Sequence, residues 1–289
     1  MPSLKNKYLV ETDWLADHLD APDLVVFDAS WYLPAMKRDA RQEYATGHIP
    51  GALFFDIDDL SDEKSALPHM LPSTTKFATR MKKMGVGDGM RIVVYDGAGL
   101  FSAPRAWWTF RVMGHEDVAV LNGGFKKWNA EGRAVSDEIP RARTPRHFTP
   151  RFNAALLRDK ADIAALITSK SAQIVDARPP GRFAGTDPEP RAGLRSGHIP
   201  GSRNLPASSL LNGDGTMKDA IALAQLLATA GVDANRPIVT SCGSGVSACV
   251  VSLALAVAGH DSAAVYDGSW SEWGADPSVP VATGSGAKT

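Results

Sequence analysis

Ser241-Cys242-Gly243-Ser244-Gly245-Val246-Ser247-Ala248 sets a thiol in a glycine-bearing turn. Before it, Pro237-Ile238-Val239-Thr240 is apolar and β-prone, as a buried strand is, and residues 246–258 after it are almost all small or apolar, as a buried helix is. The cysteine therefore stands between a strand end and a helix N-terminus. Gly243 and Gly245 are expected to take positive φ and turn N–H groups inward. Those amides, with the positive end of the helix dipole, favour an anion on the sulfur. Such a site holds a thiol pKa well below its ordinary value of roughly 8.5, leaving a thiolate at neutral pH. A buried cysteine in a tight turn is the plainer alternative, and it accounts less well for Gly-x-Gly at such a junction. Ser244 and Ser247 add hydroxyls that can donate to a thiolate or a substrate oxygen, or cap the helix.

Three further groups could act with this cysteine. The stretch 181–193 follows a strand ending at Asp176, reads as a loop from its Gly and Pro content, and carries Arg182 and Arg191. A guanidinium fork matches a carboxylate bidentately, so two of them beside a thiolate point to a small anionic substrate. The alternative for both is solvation, or pairing with Asp187 and Glu189. From the first half come residues 55–60 and Pro68-His69-Met70-Leu71. If the halves pack about a pseudo-twofold axis, His69 is placed to exchange a proton there, with Asp58 orienting it. His48 and His198 recur in matching turns and are expected to serve the fold. No pair of Cys or His residues has zinc-ligand spacing, and no GxGxxG or P-loop lysine occurs, so neither metal nor nucleotide cofactor is expected.

The elements that position these groups come twice. Leu24-Val25-Val26-Phe27-Asp28-Ala29 followed by Gly47-His48-Ile49-Pro50-Gly51 is echoed by Ala172-Gln173-Ile174-Val175-Asp176-Ala177 followed by Gly197-His198-Ile199-Pro200-Gly201. Met113-Gly114-His115 is echoed by Ala258-Gly259-His260, and the segment 120–128 by 265–273. Two homologous domains follow, residues 1–135 and 159–289, with a Pro- and Arg-rich linker at 136–158. Strands are expected at 24–27, 91–95, 118–120, 172–175, 238–240 and 263–266, helices at 75–84, 104–113, 218–230 and 246–258. Alternating β and α units imply an α/β fold, a parallel sheet flanked by helices in each domain, with ligands at the strands' C-terminal ends. Counting back without gaps from the two Gly-His pairs sets Gly97 opposite Cys242, so the first copy lacks the thiol and is expected to be non-catalytic.

With 289 residues and a net charge of −1, the chain has no basic excess for nucleic acid or an anionic membrane. It has no apolar run of about 18 residues and no secretory signal pattern at its start. Cys242 and Cys249 are its two cysteines. On one helical segment they would stand about 10 Å apart, too far to bridge, and a reducing, cytoplasmic setting is expected. Cys249 is expected to pack in the core, and the tail from 274 to be partly disordered.

The loop at 242–248, both Gly-His-Ile-Pro-Gly turns, Asp176-Ala177-Arg178, Gly181-Arg182-Phe183, Glu189-Pro190-Arg191 and Tyr266-Asp267-Gly268-Ser269-Trp270 resemble the tandem-domain rhodanese superfamily over nearly the whole chain. The resemblance is nearest to the branch that takes sulfur from 3-mercaptopyruvate. It implies that a Cys242 thiolate attacks that sulfur, pyruvate leaves as its enol, and a thiol such as thioredoxin, or cyanide, removes sulfur from the resulting persulfide. It implies that Arg182 and Arg191 hold the substrate, that Gly243, Gly245, Val246 and Ser247 line it, that Ser244 assists the cysteine, and that His69 and Asp58 complete a proton relay. No cofactor is implied, and a monomer suffices. Thiosulfate-using relatives carry Arg and Lys after the cysteine, where Gly243 and Ser244 stand here. A cysteine phosphatase would need an arginine at position 248, which is Ala. A persulfide carrier without turnover is the non-catalytic alternative.

Overall fold

The structure, a computed structural model, describes residues 7–285. It divides into two compact units. The first takes in the chain up to Glu63, Leu71–Asn153 and Leu211–Met217; the second takes in Lys64–Met70, Ala154–Leu210 and the chain from Lys218.

In the first unit, five strands, β1 (Leu9–Val10), β2 (Leu24–Asp28), β3 (Leu53–Phe54), β4 (Arg91–Tyr95) and β5 (Val118–Leu121), form a parallel sheet in the order β1-β5-β4-β2-β3. In the second, β6 (Leu157–Arg158), β7 (Gln173–Asp176), β8 (Arg203–Asn204), β9 (Ile238–Ser241) and β10 (Ala264–Tyr266) repeat it as β6-β10-β9-β7-β8. The registers repeat too: Asp28 faces Tyr95, and Asp176 faces Ser241. The α/β reading and the long central strands are borne out. The four two-residue edge strands β1, β3, β6 and β8 were not expected, since two residues show no periodicity.

Central strands buried on both faces read as continuous apolar runs, as in Val25, Val26 and Phe27, all at most 5% exposed. The helix Ala248–Val257, expected at 246–258, is buried from Ala248 to Ala256 and so carries no polar face. His48 and His198 serve the fold as expected. The Nδ1 of His48 lies 2.8 Å from Tyr44 O and that of His198 2.8 Å from Phe183 O, and each ring stacks on its partner's.

Two expectations need revision. The stretch 136–158 divides. Up to Asn153 it is held to the first unit by Asp88 N donating to His147 O, Arg151 N to Met113 O and Asn153 N to Val112 O; residues 157–158 are strand β6 of the second sheet. The tail is ordered as far as it is described. Ala282 and His198 exchange backbone hydrogen bonds and Trp273 donates its indole N–H to Pro280 O; the last four residues, 286–289, lie outside the described residues.

Candidate active site

Cys242 follows the last residue of β9, and five residues of turn separate it from the helix Ala248–Val257. Its side chain forms no disulfide and the residue is 2% exposed. Gly245 takes φ +77°, as expected; Gly243 does not take positive φ, and its place in the site is its closeness to two arginines, described below. The Cys242 carbonyl accepts from Trp270 N at 3.0 Å, and the Gly243 carbonyl from Ser271 N at 2.9 Å and Ser271 Oγ at 2.6 Å. Both carbonyls are thus drawn toward the helix Ser269–Trp273. Across a trans peptide the next N–H points the opposite way, so the amides of Gly243 and Ser244 face away from that helix. Among the described residues, the amides of Gly243, Ser244, Val246, Ser247 and Ala248 donate to no protein acceptor. Such a run at a helix N-terminus is suited to an anion. The Cys242 amide itself is occupied, donating at 3.1 Å to Ser269 Oγ, whose hydroxyl donates to Tyr266 O at 2.7 Å.

Both arginines reach this loop. A Cβ placed on Gly243 would lie 3.1 Å from Arg182 Nη2 and 3.9 Å from Arg191 Nη1. A side chain at 243 would make the Arg182 guanidinium give way slightly, whereas its contact with Arg191 would be an ordinary one. Arg182 does not sit on a loop. Pro180 at the first helical position and Gly185 in a left-handed cap make a short helix, Pro180–Ala184, and that helix aims the side chain.

Arg182 is also paired, as the plainer reading allowed, but with one of its two named partners. Its Nη2 lies 2.6 Å from Glu189 Oε2, and the other Glu189 oxygen lies 2.7 Å from Arg178 Nη1. Arg178 and the Glu189 carboxylate are at most 2% exposed, and Arg178 grips Asp176 and donates to Gly197 O as well. Burial works against the Arg178 charge, and the two carboxylates more than offset it, so its pKa lies above the ordinary arginine value. Among the described residues Arg191 has no ion-pair or hydrogen-bonding partner.

The remaining candidates lie as follows. Ser244 is buried in the loop, 6% exposed; Val246 is buried beside it, and Ser247 is the residue before the helix and makes no side-chain cap. His69 falls in the segment Lys64–Met70, which belongs to the second unit; it is 7% exposed with φ +62°. Asp58 belongs to the first unit, where it accepts from the Trp31 indole at 3.2 Å. Cys249 is fully buried, its sulfur 3.2 Å from Gly245 O. No group of three or more His, Cys, Asp or Glu among the described residues is placed to hold a metal.

The gap-free count to Gly97 is off by one. Tyr95 and Ser241 hold the same register, and Phe125 N donates to Asp96 O as Trp270 N donates to Cys242 O. Asp96 is therefore the counterpart of Cys242, and the first turn is one residue longer. Glu189, Arg178 and Ser269 were not singled out as supports of the site. The signal for Ser269 was present in the repeated segment at 265–273, and that for Arg178 in its place two residues after a strand-end aspartate.

The rhodanese-like domain family matches residues 11–131 and 159–276. The chain is 43% identical to 3-mercaptopyruvate sulfurtransferase of Rattus norvegicus over 286 residues, 96% of each chain. It is 44% identical to thiosulfate sulfurtransferase of Bos taurus over 289 residues, 97% of each. The crystal structure of SseA from Escherichia coli, a 3-mercaptopyruvate sulfotransferase with the rhodanese fold, superposes with a TM-score of 0.83 at 42% identity, covering 92% of this chain and 99% of that one.

Proposed function

The chain belongs to the rhodanese-like family, and we propose that within it this protein moves the sulfur of 3-mercaptopyruvate to a thiol or cyanide through a persulfide on Cys242. The observation that carries the reading is the convergence of Arg182 and Arg191 on Gly243, beside an uncharged Gly243-Ser244 turn. Relatives named for either donor are about equally similar, so the choice between donors rests on this turn. A doubly charged thiosulfate calls for cations after the cysteine; a singly charged keto acid needs the two arginines alone.

The Cys242 thiolate attacks the sulfur of 3-mercaptopyruvate. An S–S bond forms, the C–S bond breaks, and its electron pair stays on carbon as the enolate of pyruvate, which takes up one proton. Arg182 and Arg191 hold the carboxylate and the carbonyl oxygen, where charge develops as the bond breaks. The turn's amides at Gly243, Gly245, Val246 and Ser247 hold the anionic sulfur, with Ser244 donating to it. His69 supplies the proton. A thiol acceptor then attacks the outer sulfur and restores the Cys242 thiolate.

Two cysteines without a disulfide fit a reducing compartment, and we place the protein in the cytoplasm, with a thioredoxin-like dithiol as acceptor. No helix among the described residues is long and apolar enough to cross a membrane. Both repeats lie on one chain, so a monomer suffices. The test is pyruvate release from 3-mercaptopyruvate with a reducing thiol, together with intact mass after brief exposure to substrate alone. Pyruvate and a gain of one sulfur atom, both absent in Cys242→Ser, are expected. Sulfur uptake without pyruvate release would leave a carrier, and comparable kcat/KM for thiosulfate would remove the donor assignment.

A further inference from the structure

We propose that Glu189 is the specificity-determining residue that limits this site to singly charged donors. The inference rests on the sulfurtransferase reading and adds to it a residue that touches no reacting atom. Glu189 bridges two arginines with one carboxylate oxygen each, 2.7 Å to Arg178 and 2.6 Å to Arg182. Asp176, Arg178, Glu189 and Arg182 form one chain of contacts in which two negative and two positive charges cancel. Arg178 is spent on Asp176 and Glu189, and the second Glu189 oxygen faces the guanidinium that lies against Gly243.

Two guanidinium groups approach the turn, but one carries its counter-charge with it. Arg182, Arg191 and Glu189 together leave one net positive charge, which Arg191 supplies. A carboxylate monoanion matches that charge, whereas a dianion leaves one negative charge uncompensated among buried groups. Arg182 keeps its unused N–H donors for a carbonyl oxygen, so it serves as an oriented donor more than as a charge. Specificity of this kind comes from withheld attraction for the rival ligand as much as from attraction for the right one.

The experiment is Glu189→Gln, which keeps the shape and one acceptor and removes the charge. In steady-state assays the ratio of kcat/KM for thiosulfate to that for 3-mercaptopyruvate should rise about tenfold, mainly through a lower KM for thiosulfate. In parallel, sulfate should protect Cys242 from iodoacetamide at about a tenth of the concentration needed in the unaltered protein, with protection by pyruvate little changed. Equal losses for both donors would make Glu189 a mere prop and overturn the proposal, as would unchanged protection by sulfate. If Glu189→Gln does not fold, the unaltered protein still decides. Pyruvate should protect Cys242 at a lower concentration than sulfate, and protection by sulfate at or below the pyruvate concentration would sink the idea. Absence of any 3-mercaptopyruvate turnover in the unaltered protein would defeat the functional reading alone, since alkylation protection reads the charge without turnover.

Discussion

Asp96 directly follows β4 as Cys242 directly follows β9, and its carboxylate is held by the turn it opens. Asp96 Oδ1 accepts from Ala98 N at 2.9 Å, and Oδ2 from the amides of Phe101, Ser102 and Ala103 at 2.8 to 2.9 Å. One strand–turn–helix geometry thus turns amides toward a common point in both repeats: an internal carboxylate takes them in the first, and in the second the amides of Gly243, Ser244, Val246, Ser247 and Ala248 donate to no protein acceptor among the described residues. The likeness extends to the guanidinium. Arg38 Nη2 stands 3.4 Å from a Cβ placed on Gly97, much as Arg182 stands against Gly243. The first repeat fills its own turn with the Asp96 carboxylate, where the second carries Cys242.

Removing that internal anion should be costly. Asp96→Ala would leave four amides without their acceptor, those of Ser102 and Ala103 buried and those of Ala98 and Phe101 partly buried. The expected loss is about 3–5 kcal/mol from the first unit, and about 1–2 kcal/mol for Asp96→Asn, which keeps one acceptor oxygen. Urea unfolding followed by the fluorescence of the buried Trp107 and Trp108 measures it. A change below about 1 kcal/mol in Asp96→Ala would mean that the amides do not need the carboxylate.

Asp28 predicts a pH dependence of opposite sign to the usual carboxylate. Burial raises its pKa to about 6, with Ser30 opposing and Asp96 adding to the rise. Between the unfolded value near 3.8 and about 6 the native state binds more protons than the unfolded one, so stability falls as pH rises through this window and is flat above it. The full effect is of order 3 kcal/mol. Its counterpart Asp176 is paired with Arg178, whereas position 30 in the first repeat is Ser. Asp28→Asn should therefore match the parent near pH 4 and exceed it by about 1–3 kcal/mol at pH 7.5 in denaturant melts. Parallel stability–pH curves for the two proteins would refute the assignment.

What the sequence made legible follows the length of the signal. The duplicated landmarks, the central strands and the Cys242 turn all rest on runs of three or more residues that recur or show a clear pattern. The edge strands were too short to read, and the helix under Arg182 was hidden by the Pro and Gly that in fact start and stop it. The partners of buried charges were the least visible. Glu189 meets Arg178 across 11 residues, and nothing in their spacing distinguishes that pair from Asp187 with Arg182. The off-by-one at Asp96 came from a turn length, which periodicity cannot see.

Ser269 offers a test of the turn itself. Its hydroxyl accepts from the Cys242 amide and donates to Tyr266 O, on a backbone held at φ +50°. Ser269→Ala removes both bonds and leaves the Cys242 N–H without its acceptor, at a cost of about 1–3 kcal/mol. The turn would lose its anchor at the reacting residue, and kcat for sulfur transfer should fall about tenfold with a smaller change in KM. Ser269→Gly would lose the same bonds but relieve the positive φ, so it should be the more stable of the two. Full activity in both variants would show that the Cys242 amide needs no fixed acceptor.

Arg191 and Arg182 should differ in a way that their shared position does not suggest. Arg191 has no ion-pair partner among the described residues, so Arg191→Gln removes substrate binding and little else. Loss of a charge-assisted contact of about 1.5–3 kcal/mol should lower kcat/KM for 3-mercaptopyruvate about 10- to 100-fold, mostly as a rise in KM. Thermal stability should stay within about 1 °C of the parent, the range expected for a site outside the buried network. Arg182→Gln instead leaves the buried Glu189 carboxylate with Arg178 alone. That variant should lose activity and also melt several degrees lower, on the order of 1–3 kcal/mol, because a desolvated charge has lost one of its two partners. Kinetics and a melting curve on the two variants decide the matter. Equal melting temperatures would mean that Glu189 is neutralised without Arg182, and an Arg191→Gln enzyme with unchanged KM would remove Arg191 from the substrate.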